Sequence, residues 1–477
     1  MADEKLRRLL WLVWLLATVG LLVWMATIML NDVSDKSVFM PGELTGGHYQ
    51  LQLACGACHS DPLGGGDVLQ ESCIGCHGDD RKKPQDTHPA SKFRDPRNAD
   101  RLENIDALHC VTCHTEHRPE ITRNNGVTQP LDLCVHCHSE IADDRPSHSG
   151  MEFTSCETSG CHNFHNNRSL YTRFLIKHLD EPAILESPVV PAREFAQLLD
   201  QIVEYPAEQY PVQALSLADA DGESSMSPGQ PGKPHTDWAA TAHAQSGVNC
   251  SACHAPGTED GIQQAWTDYP DEQVCGSCHR LETERFGKGK HGMRLAAGLP
   301  ALQVSDARLP MRDDAGHETL GCNSCHFAHS YDVQFAAAEA CMNCHDDTHT
   351  QAFSGSPHQK LWQQELDGEL PARSGVSCAT CHMPRVEYDV NDWLTRVMVD
   401  HNQSANLSPN TKMIRSTCMQ CHGLEFSIDA LADPELVENN FNGRPSVHVE
   451  TMDLAANEKQ RRDSEAGESD DAGMFGF

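Results

Sequence analysis

The chain has 477 residues, with 36 Lys and Arg against 69 Asp and Glu, a formal net charge of −33 and 22 cysteines. So large an acidic excess repels phosphate groups, which argues against nucleic acids and anionic lipid surfaces as partners and leaves either a basic partner or simply a solvated acidic surface. The length allows two to four domains. Because aromatic residues make up only 6% of the chain, the apolar filling of these domains is not mainly side chain.

An uncharged stretch from Leu9 to Leu30 opens the chain and is long enough to cross a bilayer as a helix. Lys5, Arg7 and Arg8 precede it and acidic residues follow it, so the positive-inside rule places the short N-terminus in the cytoplasm. A cleaved secretory signal would have a shorter apolar core and a small-residue cleavage site. We therefore expect residues 1–31 to be retained as a single transmembrane anchor in the bacterial inner membrane, with the rest of the chain in the periplasm.

Eleven cysteine pairs follow the anchor, each with a histidine directly after its second cysteine, and together they use all 22 cysteines. Ten pairs have two residues between the cysteines, and the fifth pair has four. In chain order the motifs are Cys55/Cys58/His59, Cys73/Cys76/His77, Cys110/Cys113/His114, Cys134/Cys137/His138, Cys156/Cys161/His162, Cys250/Cys253/His254, Cys275/Cys278/His279, Cys322/Cys325/His326, Cys341/Cys344/His345, Cys378/Cys381/His382 and Cys418/Cys421/His422.

Cys-x-x-Cys-His is the attachment signature of c-type haem. The two thiols add to the two vinyl groups of the porphyrin, and the adjacent histidine ligates the iron from one face. A zinc ribbon requires no histidine after its second cysteine, a disulfide scaffold would not repeat one local spacing, and a thioredoxin-like pair would occur once. The sequence therefore predicts eleven covalently bound haems c, with these eleven histidines as proximal iron ligands.

The 28 histidines leave 17 besides the proximal ones, enough to ligate the other face of every iron. We predict that the distal ligands come from twelve of them, five in the N-terminal half and seven in the C-terminal half. These candidates are His48, His88, His117, His148, His165, His243, His291, His317, His329, His349, His358 and His401. We expect solvent-facing or structural roles for the remaining five: His109, His136, His178, His235 and His448. Methionine is a rival ligand, but none of the 15 methionines holds a repeating position.

The spacing of the motifs predicts five segments: an anchor over residues 1–31, a pentahaem domain over 32–178, a Pro/Gly/acid-rich linker over 179–234, a hexahaem domain over 235–425 and an acidic, disordered tail over 426–477. Apolar residues at helical spacing from Phe195 to Val203 predict one short helix inside the linker. So little chain per cofactor cannot build a conventional core, so the haems must be the core. We expect a mainly α fold with extensive loops, two haem-packed domains and little or no sheet.

Residues 48–178 resemble the class III cytochromes c. The resemblance is carried by the dense motifs, the longer spacing at Cys156, and His117 and His165 three residues past a proximal histidine. It implies bis-histidine ligation and a pure electron-transfer role.

Residues 235–425 are similar to the multihaem modules of the hydroxylamine oxidoreductase and multihaem nitrite reductase group. The similarity is carried by His243 ahead of Cys250, Lys290-His291-Gly292, Ser356-Pro357-His358 and Cys381-His382-Met383-Pro384. That group has a catalytic haem with an open iron position, whereas all eleven motifs here end in histidine.

The sequence favours a non-enzymatic conduit that carries electrons from a membrane quinol-oxidising complex to periplasmic or outer-membrane acceptors, one of which is a basic protein. An oxidoreductase of a small nitrogen or sulfur compound, with one open haem in the C-terminal half, is the second hypothesis. A structural subunit of a larger respiratory complex is the third.

Overall fold

The computed structural model describes most of the chain. The described residues are 2–31, 37–52, 54–61, 64–82, 88, 90–103, 105–145, 148–156, 164–166, 170–188, 190–191, 213–222, 233–259, 262–263, 265–391, 394–407 and 410–473. The predicted linker helix, and Cys161 and His162 of the fifth motif, lie outside them.

Helices form nearly all of the regular structure in this part of the chain, which confirms the predicted mainly α class. The three longest are Ala2–Leu30, Gly66–Lys82 and Thr451–Gly473. The other α-helices are short: Cys55–Cys58, Ala90–Phe93, Ala99–Leu102, Cys110–Cys113, Val135–His138, Ile141–Asp144, Thr172–Lys177, Lys233–Ala239, Ala242–Gln245, Cys250–His254, Glu272–Cys278, Arg280–Lys288, Met293–Ala296, Cys322–Cys325, Val333–Ala337, Glu339–Met342, Thr348–Phe353, Pro357–Leu366, Cys378–His382, Met413–Ser416, Leu424–Ala432 and Pro434–Glu438.

Two small antiparallel hairpins complete the regular structure. Strand Thr258–Glu259 pairs with Ile262–Gln263, and Arg385–Asn391 pairs with Leu394–Val399, with a register shift between Asp389 and Asn391. The second hairpin leads directly into Asp400 and His401, so it positions a candidate ligand.

The N-terminal helix is long and apolar enough to cross a membrane. Its span Asp3–Met29 has 27 residues and contains an 18-residue stretch with a mean hydropathy of 2.3, none of which is buried inside the protein. By length and composition it is consistent with a membrane anchor.

Most attachment motifs fold locally into single helical turns. The backbone N–H of His59 donates to the carbonyl of Cys55 at 2.8 Å, four residues earlier, and the same bond closes the turn at His114, His138, His279, His326, His345 and His422. Because residues i, i+3 and i+4 lie on one face of an α-turn, this bond places both sulfurs and the imidazole of a motif on the same side. The spacing of the motif thus dictates the local geometry that haem attachment requires.

The second motif differs from this pattern, because it lies inside a long helix. Cys73, Cys76 and His77 belong to Gly66–Lys82, which has 17 residues and continues past the histidine. The three residues still occupy positions i, i+3 and i+4, so they share one face of the helix. The local geometry of attachment is therefore kept although the turn does not end at His77.

The fourth motif differs in where its helix begins. Cys134 is the N-cap of Val135–His138, whereas other motif helices, such as Cys110–Cys113, begin at the first cysteine. The N–H groups of Cys137 and His138 both donate to the carbonyl of Cys134, at 3.2 and 2.9 Å. The shared acceptor tightens the turn around Cys137, because a bond over three residues winds the backbone more closely than one over four.

An apolar cluster lies beside the eleventh motif. It joins the helices Thr172–Lys177, Met413–Ser416 and Leu424–Ala432 to the start of the C-terminal helix. Its buried members are Leu170, Leu175, Met413, Ile414, Leu424, Ile428, Leu431, Met452 and Ala455. Cys381 and Cys418 pack against it, so this side-chain core is continuous with two attachment sites.

The segment predicted as a disordered tail differs from that expectation. Residues 451–473 form a helix, and its Met452 and Ala455 are 3% and 2% exposed within the apolar cluster. Two apolar residues three positions apart are enough to dock a helix whose other faces are charged. The acidic composition obscured this short apolar stripe, and the prediction of a tail disordered from residue 426 is wrong for the described residues.

The chain divides into two compact units, one of Met1–Gly75 and Asp106–Gln129 and one of Cys76–Ile105 and Pro130–Phe477. The first unit holds the first and third motifs and Cys73 of the second. This division does not coincide with the predicted pentahaem and hexahaem segments, whose boundaries stay predictions.

Both ends of the predicted linker pack against motifs of the second unit. At one end Leu185 N–H donates to the carbonyl of Cys421 at 2.9 Å. At the other, Leu215 N–H donates to the carbonyl of Ala244 at 2.8 Å, and Asn249 Nδ2 donates to the carbonyl of Asp219 at 2.7 Å. The segment therefore forms hydrogen bonds beside the eleventh motif at one end and beside the sixth at the other.

Candidate haem-binding sites

Each proximal histidine after residue 235 faces one of the candidate distal histidines. The ring centroids of the six pairs are 5.8 to 6.3 Å apart. The pairs are His254 with His329, His279 with His243, His326 with His401, His345 with His291, His382 with His349 and His422 with His358. Two imidazoles on opposite faces of one metal ion have centres about 6 Å apart, because each metal–nitrogen bond is roughly 2 Å long. The spacing therefore fits an iron between the rings of every pair.

One pair of the same kind is described in the N-terminal half. The rings of His88 and His138 are 6.1 Å apart with 84° between their planes, and Phe164 stacks on His88 at 4.3 Å. His138 belongs to the fourth motif, so the structure brings that motif together with a candidate distal histidine.

Three described proximal histidines stand outside these seven pairs: His59, His77 and His114. His59 and His77 are both exposed, and His77 lies on the helix Gly66–Lys82. A haem bonded to Cys73 and Cys76 would cover this ring, since the histidine lies on the same helical face as both sulfurs. Ligation of these three irons on both faces stays a prediction.

Four further distal candidates of the N-terminal half are described. They are His48, His117, His148 and His165. His148 is half-buried, and burial together with Arg145 lowers its pKa. His165 lies edge-on to Phe164, with 5.3 Å between the ring centroids. Their assignment to particular haems stays a prediction.

Hydrogen bonds at Nδ1 set the direction of many candidate ligands. His254 bonds to the carbonyl of Thr267 at 2.7 Å, His349 to that of Val437 at 2.6 Å, and His422 to that of Ala183 at 2.9 Å. His88, His114, His117 and His401 bond in the same way to the carbonyls of Phe164, Gly126, Gly42 and Val399. Because a carbonyl oxygen only accepts, Nδ1 carries the proton and Nε2 keeps a lone pair for a metal.

Burial keeps several candidate ligands neutral. Burial, together with neighbouring histidines, lowers the pKa of His291, His358 and His382 to about 4. A metal ligates the neutral imidazole, so these side chains need lose no proton to bind iron near neutral pH.

Three of the histidines that we expected not to be ligands lie beside carboxylates. His109 lies 2.8 Å from Asp106 through Nδ1 and 3.6 Å from Asp67 through Nε2, and His178 lies 2.5 Å from Glu181. His448 lies between two carboxylates, 3.3 Å from Asp429 and 2.8 Å from Asp453.

His317 is the surplus member of the twelve distal candidates. Its side chain is 78% exposed, and its Nε2 lies 3.3 Å from Glu318. The six proximal imidazoles of the C-terminal half face other histidines, so His317 is not needed as a ligand there.

Two ion pairs that sequence reasoning missed hold the loop of His401. Arg285 donates to both carboxylate oxygens of Asp400 at 2.8 and 2.6 Å, and the two side chains are 12% and 4% exposed. Arg396 on the hairpin donates to Glu282 at 2.6 Å. The helix Arg280–Lys288 thus clamps the residue next to a candidate ligand. The acid adjacent to His401 was the only sequence signal for this contact.

Glu116 is a second side chain that the sequence analysis did not single out. It lies between His114 and His117 in the chain, and its Oε1 is 2.6 Å from Nδ1 of His48. Burial raises the pKa of Glu116, but the bonds from His48 and Thr45 outweigh burial and hold it below its usual value. The carboxylate is therefore ionised beside a candidate ligand.

Contacts between cysteines order the motifs of the second unit. The thiol of Cys275 lies close enough to Cys322 to raise its pKa, and that of Cys378 lies close enough to Cys341 to do the same. Burial is the main cause that raises the pKa of Cys253, Cys325 and Cys381, and neighbouring thiols raise it further. The neighbours are Cys275 and Cys278 for Cys253, Cys341 and Cys344 for Cys325, and Cys421 for Cys381. In a haem-loaded protein these sulfurs would be thioethers, so their proximity indicates which attachment sites would be neighbours. Motifs six to eleven adjoin one another in chain order.

The first unit repeats this arrangement over its own motifs. A hydrogen bond joins Cys73 to Cys110, and Cys58 also lies near Cys73. Most described cysteines are half-buried, while Cys76 and Cys278 are exposed. The first three attachment sites thus adjoin through these sulfurs.

The fourth and fifth motifs are not ordered by these sulfur contacts. Cys137 of the fourth motif is half-buried, but the thiol contacts described above do not include it. Cys156 of the fifth is half-buried too, and its second cysteine and histidine lie outside the described residues. The order of attachment sites through Cys137 and Cys156 therefore stays a prediction.

The residues present fit c-type haem. Both sulfurs and the imidazole of a motif lie on one side of its helical turn. A second imidazole stands at the distance that an iron ion requires in all seven described pairs.

Residues 47–139 match the family model described as Cytochrome c3, which confirms the resemblance of the N-terminal part to that family. Cytochrome c-552 of Haemophilus ducreyi is 27% identical over 183 residues, covering 33% of this chain and 34% of that protein. Cytochrome c-552 of Haemophilus influenzae is 23% identical over 231 residues, covering 36% and 40%. The chain thus spans about a third to two fifths of these curated relatives. No solved structure matches. The resemblance of residues 235–425 to hydroxylamine oxidoreductase and nitrite reductase modules stays a prediction.

Proposed function

We propose that this chain, a multihaem c-type cytochrome, is a membrane-anchored conduit that passes electrons along eleven haems. One observation carries the proposal: a second imidazole faces every proximal imidazole after residue 235, with 5.8 to 6.3 Å between the ring centroids. An iron held on both faces by histidine exchanges single electrons without opening a coordination position. A substrate-reducing haem needs such a position, so the pairing supports conduction over catalysis.

The order of the attachment sites supports a definite path in the second unit. Consecutive motifs adjoin through cysteines from the sixth to the eleventh. Close neighbours exchange electrons fastest, so the path follows the chain from His254 to His422. In the first unit the same reasoning orders the haems as first, second and third.

The N-terminal helix supports an anchor in the bacterial inner membrane, with the haem-bearing part of the chain in the periplasm. Its donor in this scheme is a quinol-oxidising membrane complex. The net charge of −33 favours a basic periplasmic acceptor, because opposite charges steer association.

Quantitative EPR on the oxidised, haem-loaded protein tests this function. The proposal expects every haem to be low-spin. A high-spin signal, together with turnover of nitrite, hydroxylamine or tetrathionate, would instead support the reductase with an open haem.

A further inference from the structure

The carboxylate of Glu116 is built into the surroundings of a candidate axial ligand. Its Oε1 lies 2.6 Å from Nδ1 of His48. It also accepts the hydroxyl of Thr45 at 3.0 Å and the backbone N–H of Thr45 at 3.1 Å. Thr45 is 4% exposed, so two fixed donors hold the carboxylate in place against the ring.

This partner differs in charge from those of several other candidate ligands. His254, His349 and His422 bond through Nδ1 to neutral backbone carbonyls, whereas His48 bonds to an acid. An anionic acceptor draws the Nδ1 proton more strongly and makes Nε2 a more basic donor to a metal. A more basic axial ligand stabilises ferric over ferrous iron, because it neutralises more of the higher charge.

We propose that Glu116 is a positioning residue that fixes Nε2 of His48 as the ligating nitrogen and lowers the reduction potential of the haem that His48 ligates. This inference rests on the proposed function, in which His48 is an axial ligand. It gives one haem of the first unit a lower potential than its ligand set alone would set.

The test is an EPR-monitored potentiometric titration of the detergent-solubilised, haem-loaded chain. Glu116→Gln keeps the shape of the side chain and removes its charge. We expect an unchanged haem count by mass, an EPR spectrum in which every haem is low-spin, and an upward shift of one midpoint reduction potential. If this variant loses haem, Glu116→Asp supplies the same readout, since its shorter side chain reaches His48 less well and should give a smaller upward shift.

Asp106→Asn is the matched control. Asp106 bonds to His109 at 2.8 Å in the same unit, but both ring nitrogens of His109 face carboxylates, so it is not a candidate ligand. Loss of this charge should shift the midpoints less than Glu116→Gln does. An equal shift in the control, or no shift in either Glu116 variant, would overturn the inference.

His48→Ala separates this inference from the proposed function. A new high-spin haem in that variant supports His48 as a ligand. If no high-spin haem appears, the ligand assignment fails and the inference falls with it. If one appears while the Glu116 variants leave every midpoint in place, the role of Glu116 alone is wrong.

Discussion

The imidazole planes of His254 and His329 are nearly parallel, with 6° between them and 5.8 Å between their centroids. His243 and His279 stand almost perpendicular, at 86°. On a shared iron, parallel rings interact by π bonding along one direction only, which separates the energies of the iron dxz and dyz orbitals. Perpendicular rings leave these orbitals nearly equal in energy. The two geometries therefore differ in their EPR anisotropy.

The ring angles predict two classes of low-spin haem in the EPR spectrum of the oxidised protein. Three pairs lie at 34° or less, which predicts rhombic signals. Four pairs lie at 69° or more, which predicts broader and more axial signals. A spectrum that contains only one of these classes would contradict the pairing.

Removing a paired histidine should open an axial position on one iron, whereas removing His317 should not. His358 faces His422 at 6.3 Å, so His358→Ala should convert one low-spin haem to high-spin. His317 is largely exposed, so His317→Ala should leave the absorption and EPR spectra as they are. A high-spin haem in the His317 variant would show that the pairs are assigned wrongly.

The buried ion pair between Arg285 and Asp400 should matter for both stability and ligation. Arg285→Met leaves Asp400, whose side chain is 4% exposed, without its partner, which costs about 3–5 kcal/mol for a buried charge. The loop that carries His401 should then move from His326, and one haem should become partly high-spin. Thermal unfolding together with absorption spectroscopy measures both effects.

Arg280→Met is the matched control, because it breaks the exposed pair with Glu284 on the same helix. An exposed pair of this kind is worth about 0.3–0.5 kcal/mol. Equal losses of stability in the two variants would show that the buried pair has no special role.

The docking of the C-terminal helix should weaken at alkaline pH. Hydrogen bonds to Asp453 and Asp429 raise the pKa of His448 to about 9, from 6.5 in the unfolded chain. Because the folded pKa is the higher one, this contribution is fully present below pH 6.5 and is lost as the pH rises through about 9.

Thermal midpoints of the wild-type protein and His448→Gln, measured across this range, test that dependence. The difference between the two should be largest below pH 6.5 and should vanish above about 9. A constant difference would show that His448 acts by packing and not by its charge.

The sequence was sufficient where function depends on neighbouring residues in the chain. The spacing of Cys275, Cys278 and His279 dictates a helical turn that places all three on one face. The sequence did not predict which distal histidine faces which proximal histidine, because the tertiary structure brings the two together. His243 lies seven residues before the sixth motif but faces His279 of the seventh, and His349 lies four residues after His345 but faces His382.

The acidic composition of the C-terminal residues did not reveal that they form a docked helix, for a physical reason. Counting acids suggested disorder, but docking depends on whether a few apolar side chains find a surface. Met452 and Ala455 find the cluster beside Leu424, and Glu458 bonds to Arg461 and Arg462 within the same helix.

Carbon monoxide provides the sharpest test of the proposal that two histidines hold each iron. Carbon monoxide binds ferrous haem only where an axial position is open or easily vacated. If every iron is held by two histidines, the protein should carry eleven added haems by mass, and carbon monoxide should leave its reduced Soret band unchanged. A shift of that band corresponding to one haem or more, or a lower haem count, would contradict it.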